Sequence, residues 1–337
     1  MKKCALLNFI PFLSTLPGVV AGSLVMHLHQ LPASGYLQNI AAWLVSGTCS
    51  CIYLSISHRA KKRSWSGHAA VIICVAALCC TFFDSGTGGV HRWIRLGPVA
   101  VNAAFIFIPV ALAGTDLLFR AGKQRDAYAL SLLIGTLLFL QPDASMSGAF
   151  ALAMLPTLWH EQGHQALQWT VLCALFVLAL ISWARLQSPE PVLYVEGILN
   201  LAKSLGWVYW LVSMLSLLIL FWPFAAGIRS SSARFFLTAS TLFYAGLLAS
   251  TCTGTFPVPI IGSGVSPIIG YLISATCAMQ RLKACECYLS ARPTMACPAG
   301  LAFVFRRHSP APTAYAPHGF GQRIRTMVAP SFPQRLQ

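Results

Sequence analysis

The sequence predicts an all-α polytopic membrane protein with about ten transmembrane helices joined by short loops. Its 337 residues are 56% hydrophobic and only 9% charged, with a mean hydropathy of +0.68. Eight acidic residues are too few to solvate the surface of a water-soluble domain of this size. Apolar runs of about 16–22 residues recur along the chain, and each can cross a hydrocarbon core about 30 Å thick.

Ten of these runs are predicted to span the membrane. The first follows Lys2 and Lys3 and lacks a small-residue cleavage site, so it is predicted to be a helix rather than a signal peptide. The predicted spans are 5–28, 36–56, 69–84, 99–119, 127–141, 145–159, 167–184, 207–228, 235–251 and 264–280. They form one transmembrane domain over residues 1–284. Residues 285–337 are basic, rich in proline and without helical periodicity, which predicts a disordered cytoplasmic tail.

The distribution of charge predicts the orientation. The net charge is +15, but the positive residues cluster in alternate loops and in the tail, which is typical of membrane orientation and argues against a nucleic-acid partner. With a cytoplasmic N-terminus, most of the 23 Lys and Arg residues lie inside, and both termini are cytoplasmic. Four lie outside: Arg92, Arg95, Arg185 and Lys203. Most of the twelve cysteines fall in apolar runs, where they act as small hydrophobes rather than as a disulfide framework.

Two polar patches on the predicted outer side stand out. In residues 88–98, Arg92 and Arg95 go against the usual bias of cations and flank Trp93, an interfacial residue, which indicates binding of an anionic lipid head group. Further on, Gln141-Pro142-Asp143 divides a long apolar region. A carboxylate at that depth is costly unless it is paired or lines a wet cavity. The alternative is an ordinary turn in which Asp143 caps the next helix.

Two further patches are predicted on the same side. The loop 185–206 holds Glu190, Glu196 and Lys203, which alone would be an ordinary solvated face. Its second half is amphipathic and is predicted to lie along the interface as a short helix. The run 253–266 is rich in glycine, proline and serine, and such non-helical backbone must lie against protein or a watery cavity.

These patches, in this order and spacing, resemble the SEDS family of shape, elongation, division and sporulation proteins, which includes FtsW, RodA and SpoVE. The match rests on Arg92-Trp93-Ile94-Arg95-Leu96-Gly97, on Gln141-Pro142-Asp143 and, more loosely, on the run before the last span, across about 36–280. The resemblance implies a bacterial inner-membrane protein that polymerises lipid II, or a related undecaprenyl-linked substrate, beside a single-pass penicillin-binding transpeptidase. It implies no organic cofactor and leaves a divalent cation open. By the resemblance, the predicted substrate-binding residues are Arg92, Trp93, Arg95, Gln141, Ser263 and Ser266. The predicted catalytic residues are Asp143 and, from its position beside the family's aspartate, Glu196.

The sequence departs from the family pattern at several positions. Asn102-Ala103-Ala104-Phe105 replaces the family's Gln-Pro-Ser-Glu, and Ala144-Ser145-Met146 replaces Leu-Gly-Thr. The family's essential aspartate aligns with Val195, and Glu196 is adjacent. Two hypotheses follow. In the first, Glu196 takes over as the base; in the second, the catalytic centre is lost and the protein is a scaffold for its partner.

Two other classes of protein are candidates. His160-Glu161-Gln162-Gly163-His164 fits the His-Glu-x-x-His pattern of zinc proteases, although Gly163 weakens a helix there and no third-ligand motif follows. A transporter or lipid flippase would also suit ten helices with a central polar pocket, although the sequence shows no inverted repeat.

Overall fold

A computed structural model describes residues 7–57, 66–84, 86, 89–97, 99–159, 165–185, 191–225 and 234–290. Within these residues, helix covers most of each predicted span. The elements in chain order are α1 Ile10–Leu28, α2 Ala33–Ile56, α3 Gly67–Cys80, β1 Trp93–Leu96, β2 Val99–Asn102, α4 Ala103–Arg120, α5 Gln124–Leu140, α6 Ala144–Met154, α7 Gln165–Ala184, α8 Ile198–Leu205, α9 Trp207–Ile219, α10 Trp222–Ala225, α11 Arg234–Thr251 and α12 Val265–Ser290. Short 3₁₀ turns extend α3 over Thr81–Phe83 and α6 over Leu155–Trp159.

Length and apolarity alone qualify several of these segments as membrane spans. They are Ile10–Leu28, Ala33–Ile56, Ala103–Arg120, Gln165–Ala184 and Trp207–Ala225. Large apolar side chains face outward, as on α7 and α9, where Leu180 and Trp207 are 67% and 72% exposed. Such surfaces would be unfavourable in water and are favourable in lipid, so the predicted polytopic membrane fold is confirmed.

The eighth predicted span is divided. Helix α9 ends at Ile219 and the short helix α10 begins at Trp222, and the carbonyl of Leu220 accepts a hydrogen bond from the buried Tyr271 hydroxyl at 2.7 Å. A helix can break inside a membrane only where neighbouring groups satisfy its freed backbone, as Tyr271 does here.

The predicted interfacial helix is present. Helix α8 buries Ile198 and Ala202 and exposes Lys203, as an amphipathic helix along a surface would. At the other end of the chain, α12 continues to Ser290, six residues past the predicted domain boundary at 284. The remainder of the predicted tail lies outside the described residues.

The arginine-tryptophan stretch forms a β-hairpin, which the sequence did not predict. Strands β1 and β2 are antiparallel, with Trp93 opposite Asn102, and Gly97 in their turn has a φ of +61°. The prediction that a span starts at 99 was therefore wrong by four residues: β2 occupies Val99–Asn102, and the Asn102 side chain caps α4 by accepting a hydrogen bond from the Phe105 N–H at 3.3 Å. A short apolar run does not distinguish strand from helix by its periodicity.

Helices α4 and α12 approach each other closely near their N-terminal ends, beside the hairpin. A Cβ on Gly270 of α12 would lie 1.9 Å from the Phe105 carbonyl oxygen of α4. Only glycine fits at position 270, because any side chain would collide with the backbone of α4. Small residues are common where helices cross closely in membranes.

Gly270→Ala is expected to destabilise the protein by about 2 kcal/mol, the usual cost of forcing extra atoms into a packed core. Thermal unfolding in a fixed detergent measures the loss. Gly35→Ala is the matched control, because its Cβ would meet only ordinary contacts, the nearest being the Ser263 hydroxyl at 3.5 Å. Equal melting temperatures for the two variants would contradict the close packing of α4 and α12.

Candidate functional site

Arg92 and Arg95 lie in different environments because the hairpin separates them. Arg92 immediately precedes β1 and is 5% exposed, whereas the Arg95 side chain, within β1, is 60% exposed. Residues three apart in an extended chain point to opposite faces, which accounts for the difference. The two guanidinium groups are therefore not a pair of equivalent phosphate ligands.

Arg92 forms an ion pair with Asp143. Its Nε lies 3.3 Å from Asp143 Oδ2, and one terminal nitrogen donates to the Pro142 carbonyl at 3.2 Å. The Nε–Oδ2 contact is not an aligned hydrogen bond, since Nε has no hydrogen-bond partner among the described residues. The guanidinium also lies over the ring of Phe256, 5.7 Å from its centroid. Arg92 thus joins the hairpin to the Gln-Pro-Asp break and to the 253–266 run.

Asp143 has both roles that its sequence context suggested. Its Oδ1 accepts a hydrogen bond from the Met146 N–H at 3.2 Å and caps α6, while Oδ2 faces Arg92. Asp143 is 2% exposed, and the positive charge of Arg92 offsets the cost of burying its carboxylate.

Gln141 is fully buried and holds two helices together. Its Nε2 donates to the Leu78 carbonyl at 3.0 Å and to the Thr81 hydroxyl at 2.7 Å, which ties the end of α5 to the end of α3. Its Oε1 has no hydrogen-bond partner among the described residues.

Arg95 and Trp93 lie nearer the surface of the same hairpin. Arg95 Nε is 3.1 Å from Asp84 Oδ2, at the end of α3, and much of the guanidinium remains accessible. Trp93 is half-buried in β1 opposite Asn102. Of the two arginines, Arg95 is the one that a head group can reach without displacing a buried partner.

Glu196 lies in a turn that packs against the 253–266 run. The Val258 N–H donates to the Val195 carbonyl at 3.2 Å, and the Ser263 N–H donates to the Tyr194 carbonyl at 2.9 Å. Glu196 Oε2 accepts a hydrogen bond from the Val192 N–H at 2.7 Å, which closes the turn.

The environment of Glu196 raises the pKa of its carboxyl above its ordinary value. Burial is the largest cause. The backbone N–H groups of Val192 and of Glu196 itself lower the pKa in part, and so does the positive charge of Arg92. A carboxyl with a raised pKa is a better proton acceptor once it is ionised, as a general base requires.

Ser263 and Ser266 lie at the start of α12 and bind protein groups. The Ser263 hydroxyl donates to the Gly35 carbonyl at 3.0 Å and accepts from Gln38 Nε2 at 2.9 Å. The Ser266 hydroxyl accepts from the Asn102 N–H at 2.8 Å, which fastens β2 to α12.

Asn39 holds the same run in place, and the sequence analysis missed it. It is 1% exposed; its Nδ2 donates to the Gly262 carbonyl at 2.9 Å, and its Oδ1 accepts from the Gly264 N–H at 2.9 Å. An asparagine within an apolar run was the available signal, because a buried amide needs partners for all its groups.

The four predicted patches thus meet at one end of the bundle. Arg92 contacts the second and fourth patches directly, and the backbone of the third is hydrogen-bonded to the fourth. Lys203 is exposed on α8, and Glu190 lies outside the described residues.

The zinc hypothesis and the divalent cation stay untested. His160, Glu161 and His164 lie outside the described residues. Within the described ranges, no group of three or more His, Cys, Asp or Glu side chains is placed to hold a metal ion.

Comparison with known proteins identifies the fold. No family model and no curated protein matches the sequence. Two crystal structures of the rod shape determining protein RodA from Thermus thermophilus are similar. An Asp-to-Ala variant of RodA has a TM-score of 0.57 and 17% identity, over 81% of this chain and 96% of that chain. RodA without the substitution has a TM-score of 0.54 and 18% identity, over 81% and 95%. The SEDS-like fold that the motifs predicted is therefore confirmed.

Proposed function

We propose that this protein is a SEDS-type membrane protein of peptidoglycan synthesis that polymerises the saccharide of lipid II or of a related undecaprenyl-linked substrate. The observation that carries the proposal is the meeting of Arg92, Asp143 and the Glu196 turn at one end of a RodA-like bundle. Neither the fold nor the cluster would suffice alone, since one fold serves many functions.

The chemistry follows from the positions of these groups. Glu196 takes the proton from an acceptor sugar hydroxyl; that oxygen bonds to the anomeric carbon of the donor, and the bond from this carbon to the diphosphate breaks. Arg95 is the accessible guanidinium for the departing diphosphate, and Trp93 lies beside it at the interface. Arg92 and Asp143 position the site, because their charges are buried and largely balance each other.

The surroundings of the reaction belong to the same proposal. The protein would lie in the bacterial inner membrane with both termini in the cytoplasm, and its partner would be a single-pass penicillin-binding transpeptidase. Gln141, Ser263 and Ser266 would act through the backbone that they hold, since each is hydrogen-bonded to protein groups.

Incubating the purified full-length protein with lipid II, alone and with a transpeptidase partner, tests this proposal. Gel analysis should show glycan chains that lengthen with time. Binding of the partner without any chain elongation in either mixture would instead favour the scaffold hypothesis. The sequence favours that alternative at one position, because by the resemblance the family's essential aspartate falls on Val195.

A further inference from the structure

At the end of the bundle opposite the hairpin, a second charged cluster surrounds a buried carboxylate. Asp116 of α4 is 2% exposed, and its Oδ2 lies 2.8 Å from a terminal nitrogen of Arg120 and 3.1 Å from one of Arg281. At 1.5 Å per residue, Asp116 is about 20 Å along α4 from its start, and Arg281 is about 24 Å along α12. Both therefore lie near the end that the charge bias predicts to be cytoplasmic.

The two arginines are bound differently. Arg281 is packed: Nε also contacts Asp116 at 3.2 Å, its other nitrogens donate to the carbonyls of Cys277 and Ala113 at 3.3 Å, and its guanidinium lies 4.0 Å from the ring centroid of Phe236. Arg120 has only the Asp116 contact among the described residues, and its side chain is 39% exposed. Its side chain is therefore partly accessible from outside the bundle.

A third arginine belongs to the same region. Arg234 is exposed at the start of α11, next to Phe235 and two residues before Phe236. The rings of Phe235 and Phe119 are 5.0 Å apart, which brings the start of α11 against the end of α4, where Arg120 follows Phe119. Arg120 and Arg281 thus pair with Asp116, and Arg234 begins the helix that packs against the end of α4. We call these three arginines the basic cluster, and their charge exceeds that of Asp116 by two.

We propose that the basic cluster binds the phosphate of an anionic lipid head group in the leaflet at this end of the bundle. Basic pockets between transmembrane helices are well suited to such head groups, and a guanidinium binds phosphate in a bidentate geometry. Arg281 and Asp116 form the fixed base of the site, and Arg120 and Arg234 supply the accessible donors. The site is separate from the proposed glycan-polymerising site and does not depend on it.

Native mass spectrometry of the full-length protein, titrated with phosphatidylglycerol or phosphatidylcholine, tests the proposal. The wild type should bind phosphatidylglycerol in preference to phosphatidylcholine. Arg120→Gln and Arg234→Gln should each weaken phosphatidylglycerol binding about fivefold, and the double variant about 25-fold. These residues are chosen instead of Arg281, whose removal would leave the Asp116 charge buried without a partner.

Arg185→Gln is the matched control. Arg185 also lies over a phenylalanine ring, 5.9 Å from the centroid of Phe139, but it is at the end of α7, beyond the predicted outer leaflet. Arg185→Gln should bind phosphatidylglycerol as tightly as the wild type does. Equal losses in the control and the test variants would indicate a general charge effect and overturn the proposal, as would unchanged binding in the double variant. Inorganic phosphate at the same concentration should displace no lipid; full displacement would assign the cluster to free phosphate instead.

Discussion

Replacing Glu196 by glutamine is expected to slow glycan chain elongation from lipid II by at least about a hundredfold, the lower end of what a positioned general base contributes. Glutamine keeps the shape of the side chain, and its Oε1 still accepts the hydrogen bond from the Val192 N–H that closes the turn. The substitution therefore removes the proton acceptor and leaves the fold. The rate of product formation under single-turnover conditions measures the effect.

The pH dependence gives an independent check on the same residue. Burial raises the pKa of the Glu196 carboxyl, so the wild-type rate should rise with pH around a midpoint above that of an ordinary glutamate. The glutamine of Glu196→Gln does not ionise, so the residual rate of this variant should not rise with pH over that range. Glu190→Gln, the same chemical change in the same loop, is the control and should retain the wild-type profile. Equal rates in wild type and Glu196→Gln would remove Glu196 from the mechanism.

Much of the fold was predictable because a membrane imposes simple rules on a sequence. Apolar length predicted the helices that cross the membrane. The orientation that the basic residues indicate stays a prediction. Local residue chemistry predicted the end of α5. Proline at position 142 interrupts a helix, and Asp143 is well suited to cap the next one. That the four polar patches meet followed from placing them all on one side.

The partners within the site could not be predicted, since they depend on contacts between residues far apart in the chain. Arg92 and Arg95 look equivalent in the sequence, and only the hairpin makes one buried and the other accessible. Ser263 and Ser266 looked like substrate ligands, but their hydroxyls are engaged by Gln38, Gly35 and Asn102.

The stability of the site should depend strongly on the charge of Asp143. Asp143→Asn is expected to destabilise the protein by about 3 kcal/mol, the typical cost of leaving one member of a buried ion pair alone. Asparagine retains a side-chain oxygen for the Met146 N–H, so the cap of α6 is kept and only the charge opposite Arg92 is lost. Thermal or denaturant unfolding in a fixed detergent measures the loss.

Two further variants decide whether the buried pair is responsible. Arg95→Gln removes the exposed member of the Arg95–Asp84 pair, whose side chains are 60% and 19% exposed, and should cost less than about 1 kcal/mol, as ion pairs near the surface do. Adding Arg92→Met to Asp143→Asn should restore part of the lost stability, because the unpaired charge is then gone and the methionine can pack against Phe256. Arg92→Met alone completes the comparison. If the stability losses of the two single variants add up to the loss of the double variant, Arg92 and Asp143 are not coupled, and the contact between the hairpin and the Gln-Pro-Asp break does not hold the site together.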